Sequence, residues 1–368
     1  MKRIMFYLAG LDNNGGAERV ISNLSNYLSK NNKVTIITTG FSKTRYKLND
    51  EITCQSLDNN VDKAKQNRIV KNFNRVKKLN RLVKENNPDI IVTFLPNEIF
   101  RILFLKKVSI KNPVIISLRD DPATEYKTRF RKKLMYHLVK YANGIVFQTK
   151  EASDFFDINI KEKSTIIPNP INEKFIEKPF KGTRKKEIVS VGRLEPQKNH
   201  ELLIDSFSNI VKKHNDYKLH IYGEGKLRNK LENKIKDMKL EDKVILKGNS
   251  NNIKEKIFES SLFVLSSNHE GMPNALMEAM SLGLPVLSTD CPCGGPNFLI
   301  ENKVNGILVR VNNQDEMEEA MDNLISNPGY ANKLGKEANK ICSRLEPNMI
   351  YQKWENYIDE IIKNCEEQ

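Results

Sequence analysis

Residues 3–38, RIMFYLAGLDNNGGAERVISNLSNYLSKNNKVTIIT, contain three kinds of segment in succession. Residues 3–8 are a short apolar run of the buried-strand type, the turn at Asn13-Asn14-Gly15-Gly16 leads into helical spacing over 17–29, and 33–38 is β-branched again. A strand that returns as a second strand through a helix is the βαβ unit of a parallel sheet. The pattern extends to expected strands at 89–94, 114–117 and 144–148, with a long helix at 61–85. After Pro168-Asn169-Pro170 and a polar connection at 173–186 the scheme starts afresh. Its strands are expected at 187–191, 218–222, 244–246, 262–266, 285–288 and 306–309, and its helices at 200–213, 226–238 and 274–282. With 368 residues the chain exceeds one ordinary core. Two doubly wound, Rossmann-like α/β domains are therefore expected, at 1–180 and 181–345, with ligands bound in a cleft at the carboxyl ends of their strands. A last amphipathic helix within 346–368 carries the chain's one tryptophan, Trp354.

Composition narrows the class. The chain is 39% hydrophobic with ordinary Gly and Pro content, which excludes disordered, collagen-like and disulfide-scaffold proteins. Runs such as Ile4 to Leu8 and Ile99 to Leu105 are far below the roughly 20 residues that cross a bilayer. The opening Met1-Lys2-Arg3-Ile4 lacks the pattern of a signal peptide, so a cytoplasmic location is expected. Cys54, Cys291, Cys293, Cys342 and Cys365 are scattered, and Cys291-Pro292-Cys293 has neither zinc nor thioredoxin spacing, so reduced thiols are expected.

The net charge is +14, but it is unevenly placed: residues 1–180 hold 33 Lys+Arg against 18 Asp+Glu, and residues 181–368 hold 27 against 28. The excess peaks at 63–84, where Ile69, Phe73, Val76, Leu79 and Val83 recur at helical spacing, and at 127–141, where Phe130, Leu134, Met135, Leu138 and Tyr141 alternate with cations. Each stretch fits either a solvated helix face or a basic amphipathic surface for anionic lipid. No helix-turn-helix, zinc-finger or RNP-like signal accompanies the charge, so nucleic acid is not the expected partner.

Three motifs carry candidate chemistry. Gly15-Gly16 opens the first helix, where paired glycines allow a close backbone approach to phosphate or simply a tight βα turn. Val191-Gly192-Arg193-Leu194-Glu195-Pro196-Gln197-Lys198-Asn199 follows the first strand of the second half, where Arg193 and Lys198 can clamp a diphosphate without metal. Asn268-His269-Glu270-Gly271-Met272-Pro273-Asn274-Ala275-Leu276-Met277-Glu278 sets Glu270 on a loop and Glu278 inside the helix that follows, with the amides around Asn274, Ala275 and Leu276 as donors. Paired glycosidase carboxylates are another reading of the two acids.

These segments, in this order, together with Tyr222-Gly223-Glu224-Gly225 and the stretch Ser288 to Pro296, resemble family 4 glycosyltransferases, retaining enzymes of the GT-B fold. The resemblance covers nearly the whole chain and is strongest to bacterial members that build capsule, exopolysaccharide, lipopolysaccharide or lipid-linked glycans. It implies two Rossmann-like domains facing across a cleft and a C-terminal helix that crosses back to the first domain. It implies a UDP-sugar donor, with Arg193 and Lys198 on the diphosphate, Glu278 on the ribose, Glu270 beside the sugar ring, and Gly15 and Gly16 bordering the diphosphate. Gly223, Gly225 and Gly248-Asn249 would border the base. A lipid-linked glycan acceptor is implied on the first half, which would lie on the cytoplasmic face of the membrane. No Asp-x-Asp triplet occurs, so no metal or other cofactor is expected. Where many relatives carry a His, this chain has Arg119, which cannot act as a base near neutrality. The adjacent Asp120 and Asp121 could orient the acceptor hydroxyl or cap a turn before Pro122. A non-hydrolysing UDP-sugar 2-epimerase shares this architecture and is the alternative enzyme; a basic nucleic-acid binder is a third reading.

Overall fold

The computed structural model describes residues 1–12, 16–40, 46–58, 67–126 and 128–367. The chain divides into two compact units, Met1–Asn169 with Asn348–Gln368, and Pro170–Pro347. The change-over lies at Asn169, ahead of the expected 180/181, because Ile171 and Phe175 of the connecting segment are already buried and Ile171 N–H donates to Leu345 C=O at 3.0 Å.

In the first unit, β1 (Arg3–Leu8), β2 (Lys33–Thr38), β3 (Thr53–Ser56), β4 (Ile90–Phe94), β5 (Val114–Ser117), β6 (Gly144–Phe147) and β7 (Ser164–Ile166) form one sheet. Their order is β3-β2-β1-β4-β5-β6-β7, with every pairing parallel. Central strands β4 and β5 are buried along their whole length, as their continuous apolar sequences require when helices cover both faces. Among the elements that escape the sequence pattern, β3 (TCQS) and β7 (STI) lack an apolar alternation, and Pro96–Val108 has too many apolar residues to show a face. The helix expected at 61–85 runs over Arg68–Asn86, and residues 61–66 lie outside the described ones. Only the second half of its apolar stripe packs inward: Leu79 and Val83 are buried, whereas Ile69 and Phe73 are exposed.

The closing helix, Pro347–Glu366, belongs to this first unit from Asn348 onward. Trp354 is fully buried against Phe94, at 5.6 Å between ring centroids, and Tyr351 meets Tyr27 at 5.4 Å. The Tyr357 hydroxyl donates to Lys163 C=O at 2.8 Å and accepts from Ile145 N–H at 3.0 Å, so this helix is tied to the ends of β6 and β7.

In the second unit, β8 (Lys185–Val191), β9 (Lys218–Tyr222), β10 (Val244–Gly248), β11 (Ser260–Leu265), β12 (Val286–Thr289) and β13 (Ile307–Val309) take the order β10-β9-β8-β11-β12-β13, again with parallel pairings. The direction of winding reverses between β1 and β4 in one sheet and between β8 and β11 in the other. Such reversals open a crevice at the carboxyl ends of the two strands. Among the described residues, no helix is long and apolar enough to cross a membrane.

Candidate active site

In the second unit, the loops leaving β8 and β11 meet over that crevice. Lys198 Nζ is ion-paired with the Glu270 carboxylate, and Ser267 Oγ donates to Glu270 Oε1 at 2.6 Å. The Lys198 and Glu270 side chains are only 14% and 7% exposed, so each charge depends on the other for its solvation. The main chain is stitched in the same place. Asn268 N–H donates to Gln197 C=O at 2.8 Å, Gln197 Nε2 to His269 C=O at 3.0 Å, and Ser266 Oγ to Lys198 C=O at 2.9 Å. Arg193 is exposed on this loop and donates through Nη2 to Gln197 Oε1 at 3.1 Å.

The turn after β12 supports the acid loop from the other side. Glu270 N–H donates to Pro292 C=O at 2.6 Å, and Cys293 N–H donates to Glu270 C=O at 3.0 Å. A Cβ on Gly295 would stand 1.8 Å from Gly271 C=O, so only glycine permits this approach. Burial, aided by the nearby Glu270 charge, pushes the Cys291 thiol well above its ordinary range. Cys291 is therefore an inert part of the support rather than a nucleophile.

Helix Asn274–Ser281 starts directly behind Glu270. Its first backbone bond runs from Met277 N–H to Pro273 C=O at 3.1 Å, which leaves the amides of Asn274, Ala275 and Leu276 as the positive end of the helix. Leu276 is buried, and Glu278 is half-buried and accepts from Asn172 Nδ2 at 3.4 Å. The unit thus brings together two cations, two carboxylates and a helix N-terminus, an arrangement able to hold an anion flanked by hydroxyl groups.

Gly223 and Gly225 serve a demand that the motif did not reveal. Gly223 has φ +143° and a Cβ there would lie 1.9 Å from Gly192 C=O; at Gly225 it would lie 2.4 Å from Leu194 C=O. These glycines let the turn after β9 press on the cation loop, where Leu194 N–H also donates to Glu224 C=O at 3.0 Å. Asn249 is exposed just beyond β10. His200, at the start of the helix behind Lys198, was not singled out from the sequence. It is buried, and that burial together with the Lys198 charge lowers its pKa to about 4, so it is neutral at pH 7.

In the first unit, Gly16 begins the helix Gly16–Leu28 after β1, while Gly15 lies outside the described residues. Arg119, which stands where many relatives carry a His, has its guanidinium buried. It lies 4.0 Å over the Phe94 ring and 5.9 Å from that of Trp354, and Nη1 donates to Asn169 Oδ1 at 2.7 Å. Loss of water lowers its pKa to about 9, and stacking suits the flat guanidinium to such a place. Asp121 caps the turn Pro122–Glu125, accepting from Ala123 N–H at 3.0 Å and Thr124 N–H at 3.2 Å, while Asp120 Oδ1 accepts from Asp121 N–H at 2.8 Å. Beside them Glu125 is raised to about 8, by burial first and the Asp120 charge second. At the ends of β1 and β2 lies a further buried network that no sequence motif announced. Thr39 Oγ1 donates to Glu98 Oε1 at 3.0 Å, and Arg101 Nη1 reaches Glu98 Oε1 at 2.8 Å and Tyr7 Oη at 3.2 Å. Among the described residues, no three His, Cys, Asp or Glu side chains gather as ligands for a metal ion.

Comparison with known proteins follows the same division. Residues 14–175 match the family model described as Glycosyltransferase Family 4, and residues 171–341 the model described as Glycosyl transferases group 1. The chain is 32% identical over 248 residues to an uncharacterized glycosyltransferase of Methanocaldococcus jannaschii, a match covering 61% of each protein. It is 26% identical over 366 residues to the GalNAc-alpha-(1->4)-GalNAc-alpha-(1->3)-diNAcBac-PP-undecaprenol alpha-1,4-N-acetyl-D-galactosaminyltransferase of Campylobacter jejuni, covering 98% of this chain and 99% of the relative. Among solved structures, Anabaena HepE in complex with UDP superposes with a TM-score of 0.79 at 17% identity, over 98% of this chain and 100% of that one.

Proposed function

The chain belongs to the GT-B glycosyltransferases, its first half to Glycosyltransferase Family 4 and its second to the group 1 glycosyl transferases, and from that premise we propose that it is a retaining hexosyl- or N-acetylhexosaminyltransferase. It moves the sugar of a UDP-sugar onto a lipid-linked or growing bacterial glycan. The observation that supports this reading is the Lys198–Glu270 pair at the winding reversal of the second sheet, next to Arg193 and the N-terminus of Asn274–Ser281.

In this reading Lys198 is held ready by Glu270, and its remaining ammonium protons, with Arg193, take the donor diphosphate. The same cations stabilise the charge that collects on the diphosphate as the glycosidic bond breaks. The amides of Asn274, Ala275 and Leu276 add a dipole of the same sign. Glu278 accepts from the ribose hydroxyls, Glu270 orients the sugar ring, and the turns at Gly223, Gly225 and Asn249 border the base. The acceptor hydroxyl attacks on the face from which the diphosphate leaves, and the departing diphosphate oxygen takes its proton. No metal and no side-chain nucleophile enter these steps. A lipid-linked acceptor calls for work at the cytoplasmic face of a membrane, where the basic first half meets anionic headgroups.

Purified protein supplied with a panel of labelled UDP-sugars and membrane extract is expected to transfer label into lipid-extractable or polymeric glycan. Transfer should fall below detection in Glu278→Ala and Lys198→Ala variants that keep their fold. Full transfer by both variants would overturn the site, and conversion of UDP-GlcNAc without any acceptor, followed by NMR, would replace the transferase with an epimerase.

A further inference from the structure

We infer that one edge of the first unit is a lipid-docking surface, in which the apolar side chains Ile69, Val70, Phe73 and Phe130 enter an anionic bilayer and the cations around Phe130 contact its headgroups. The inference rests on the reading that the acceptor is lipid-linked, and it assigns the residues that touch the lipid. Ile69 is 77% exposed, Phe73 68% and Phe130 74%. Side chains of this size normally pack inward from an amphipathic helix, and Leu79 and Val83 of the same helix do so.

The exposed set lies within the first two turns of two helices, Arg68–Asn86 and Arg129–Val139, which follow the parallel strands β3 and β5. In a parallel sheet, the helix after each strand begins at the carboxyl edge. Both first turns therefore lie at one edge, the one that also holds Gly16 and the Arg119 to Asp121 loop. Helix Pro96–Val108 bridges the two helices: its Arg101 Nη2 reaches Asn72 Oδ1 at 3.5 Å, and its Lys107 Nζ lies 2.7 Å from His137 Nε2.

The charge of this edge selects the occupant. Arg129, Arg131, Lys132 and Lys133 are exposed on a helix without any carboxylate. Asp58, beside the other helix, is already met by Arg75 at 2.6 Å and Lys71 at 3.3 Å. A second copy of the chain would bring the same positive edge against itself, whereas an anionic bilayer complements both the cations and the apolar tips.

The test is flotation of the full chain with vesicles of phosphatidylcholine alone or with added phosphatidylglycerol. Wild type should float with the anionic vesicles and be released by salt. Phe73→Ser with Phe130→Ser should weaken that binding by about tenfold per side chain, and Arg129→Ser with Lys133→Ser should abolish the preference for phosphatidylglycerol. All three proteins should keep the same melting temperature and the same UDP-induced rise in it. Wild type that does not float, an aromatic variant that floats like wild type, or a dimer in sedimentation that the aromatic variant abolishes would each overturn the inference. Because vesicle binding is read without sugar transfer, failure of the transferase reading would leave this result standing.

Discussion

Replacing Lys198 by Met removes the ammonium and keeps most of the aliphatic stem. Glu270, with a side chain 7% exposed, then retains the Ser267 hydroxyl at 2.6 Å but no longer faces the cation that balanced it. Breaking one side of a buried pair costs about 3–5 kcal/mol, and because Lys198 is 14% exposed the lower end applies, about 3 kcal/mol. At about 2–4 °C per kcal/mol for a unit of this size, its melting temperature should fall by about 6–12 °C. Adding Glu270→Gln removes the orphaned charge, and the double variant should regain most of the loss. The coupling energy is the about 2 kcal/mol regained plus the cost of Glu270→Gln alone, which leaves the Lys198 ammonium unpaired, so it is at least about 2 kcal/mol and well beyond the few tenths expected of independent sites. Urea titration of the four proteins measures this cycle. UDP at a hundredfold excess over its Kd adds about 2.7 kcal/mol to wild type, and that increment should vanish in both Lys198 variants. The cycle separates stability, which depends on the balance of charge, from the donor binding proposed for Lys198, which depends on the ammonium itself. Additive single effects would refute the pairing, and a double variant that still transfers sugar would refute the donor role.

A proton that the buried His200 imidazole refuses, with a pKa near 4 against about 6.5 in the unfolded chain, is taken up by the unfolded state as pH falls. Its contribution is therefore complete above pH 6.5 and declines by about 3 kcal/mol towards pH 4, and His200→Asn should flatten that limb of a stability–pH curve. Gly223→Ala should cost more than about 3 kcal/mol in a urea titration, since its Cβ would meet Gly192 C=O at 1.9 Å. Gly329→Ala, in a helix with nothing within 4 Å, should gain about 0.5–1 kcal/mol in the same titration. Arg119→Met should leave the first unit's calorimetric melting temperature unchanged or raised, because Nε and Nη2 of the buried guanidinium have no partner among the described residues.

The β-rich runs and helical spacings of the sequence determine most of the two sheets, because buried parallel strands are continuous apolar segments and the helices that cover them are amphipathic. The pattern is silent where that physics is absent. β3 lies at a sheet edge with polar side chains, and Pro96–Val108 is apolar on several sides. At the site, residue types and motif order indicate Lys198 and Glu270, but their contact spans 72 positions and depends on β8 and β11 being neighbours in the sheet. Ser267 and Gly295 support Glu270 through contacts of the same long-range kind. Asp121 is a different case, because an acid before Pro122 is a local capping signal and the structure realises it.

The charge asymmetry between the halves acquires its meaning from pairing rather than from net charge. In the second unit Lys213 meets Asp322 at 3.0 Å, Lys230 meets Glu201 at 2.9 Å, Lys234 meets Asp205 at 2.6 Å, and Arg228 lies between Glu224 and Glu232. Those surface charges largely cancel one another, so the field at Lys198 and Arg193 is set locally by the loop and the helix end. The cations around Phe130 stand on a helix with no acid, and their field extends into solvent, where physiological salt screens it within about 8 Å. The Lys198–Glu270 pair is shielded from that screening by its burial. Ionic strength should therefore release the protein from an anionic surface at concentrations that leave the Lys198–Glu270 ion pair intact, because the two sets of charges differ in solvation and not only in sign.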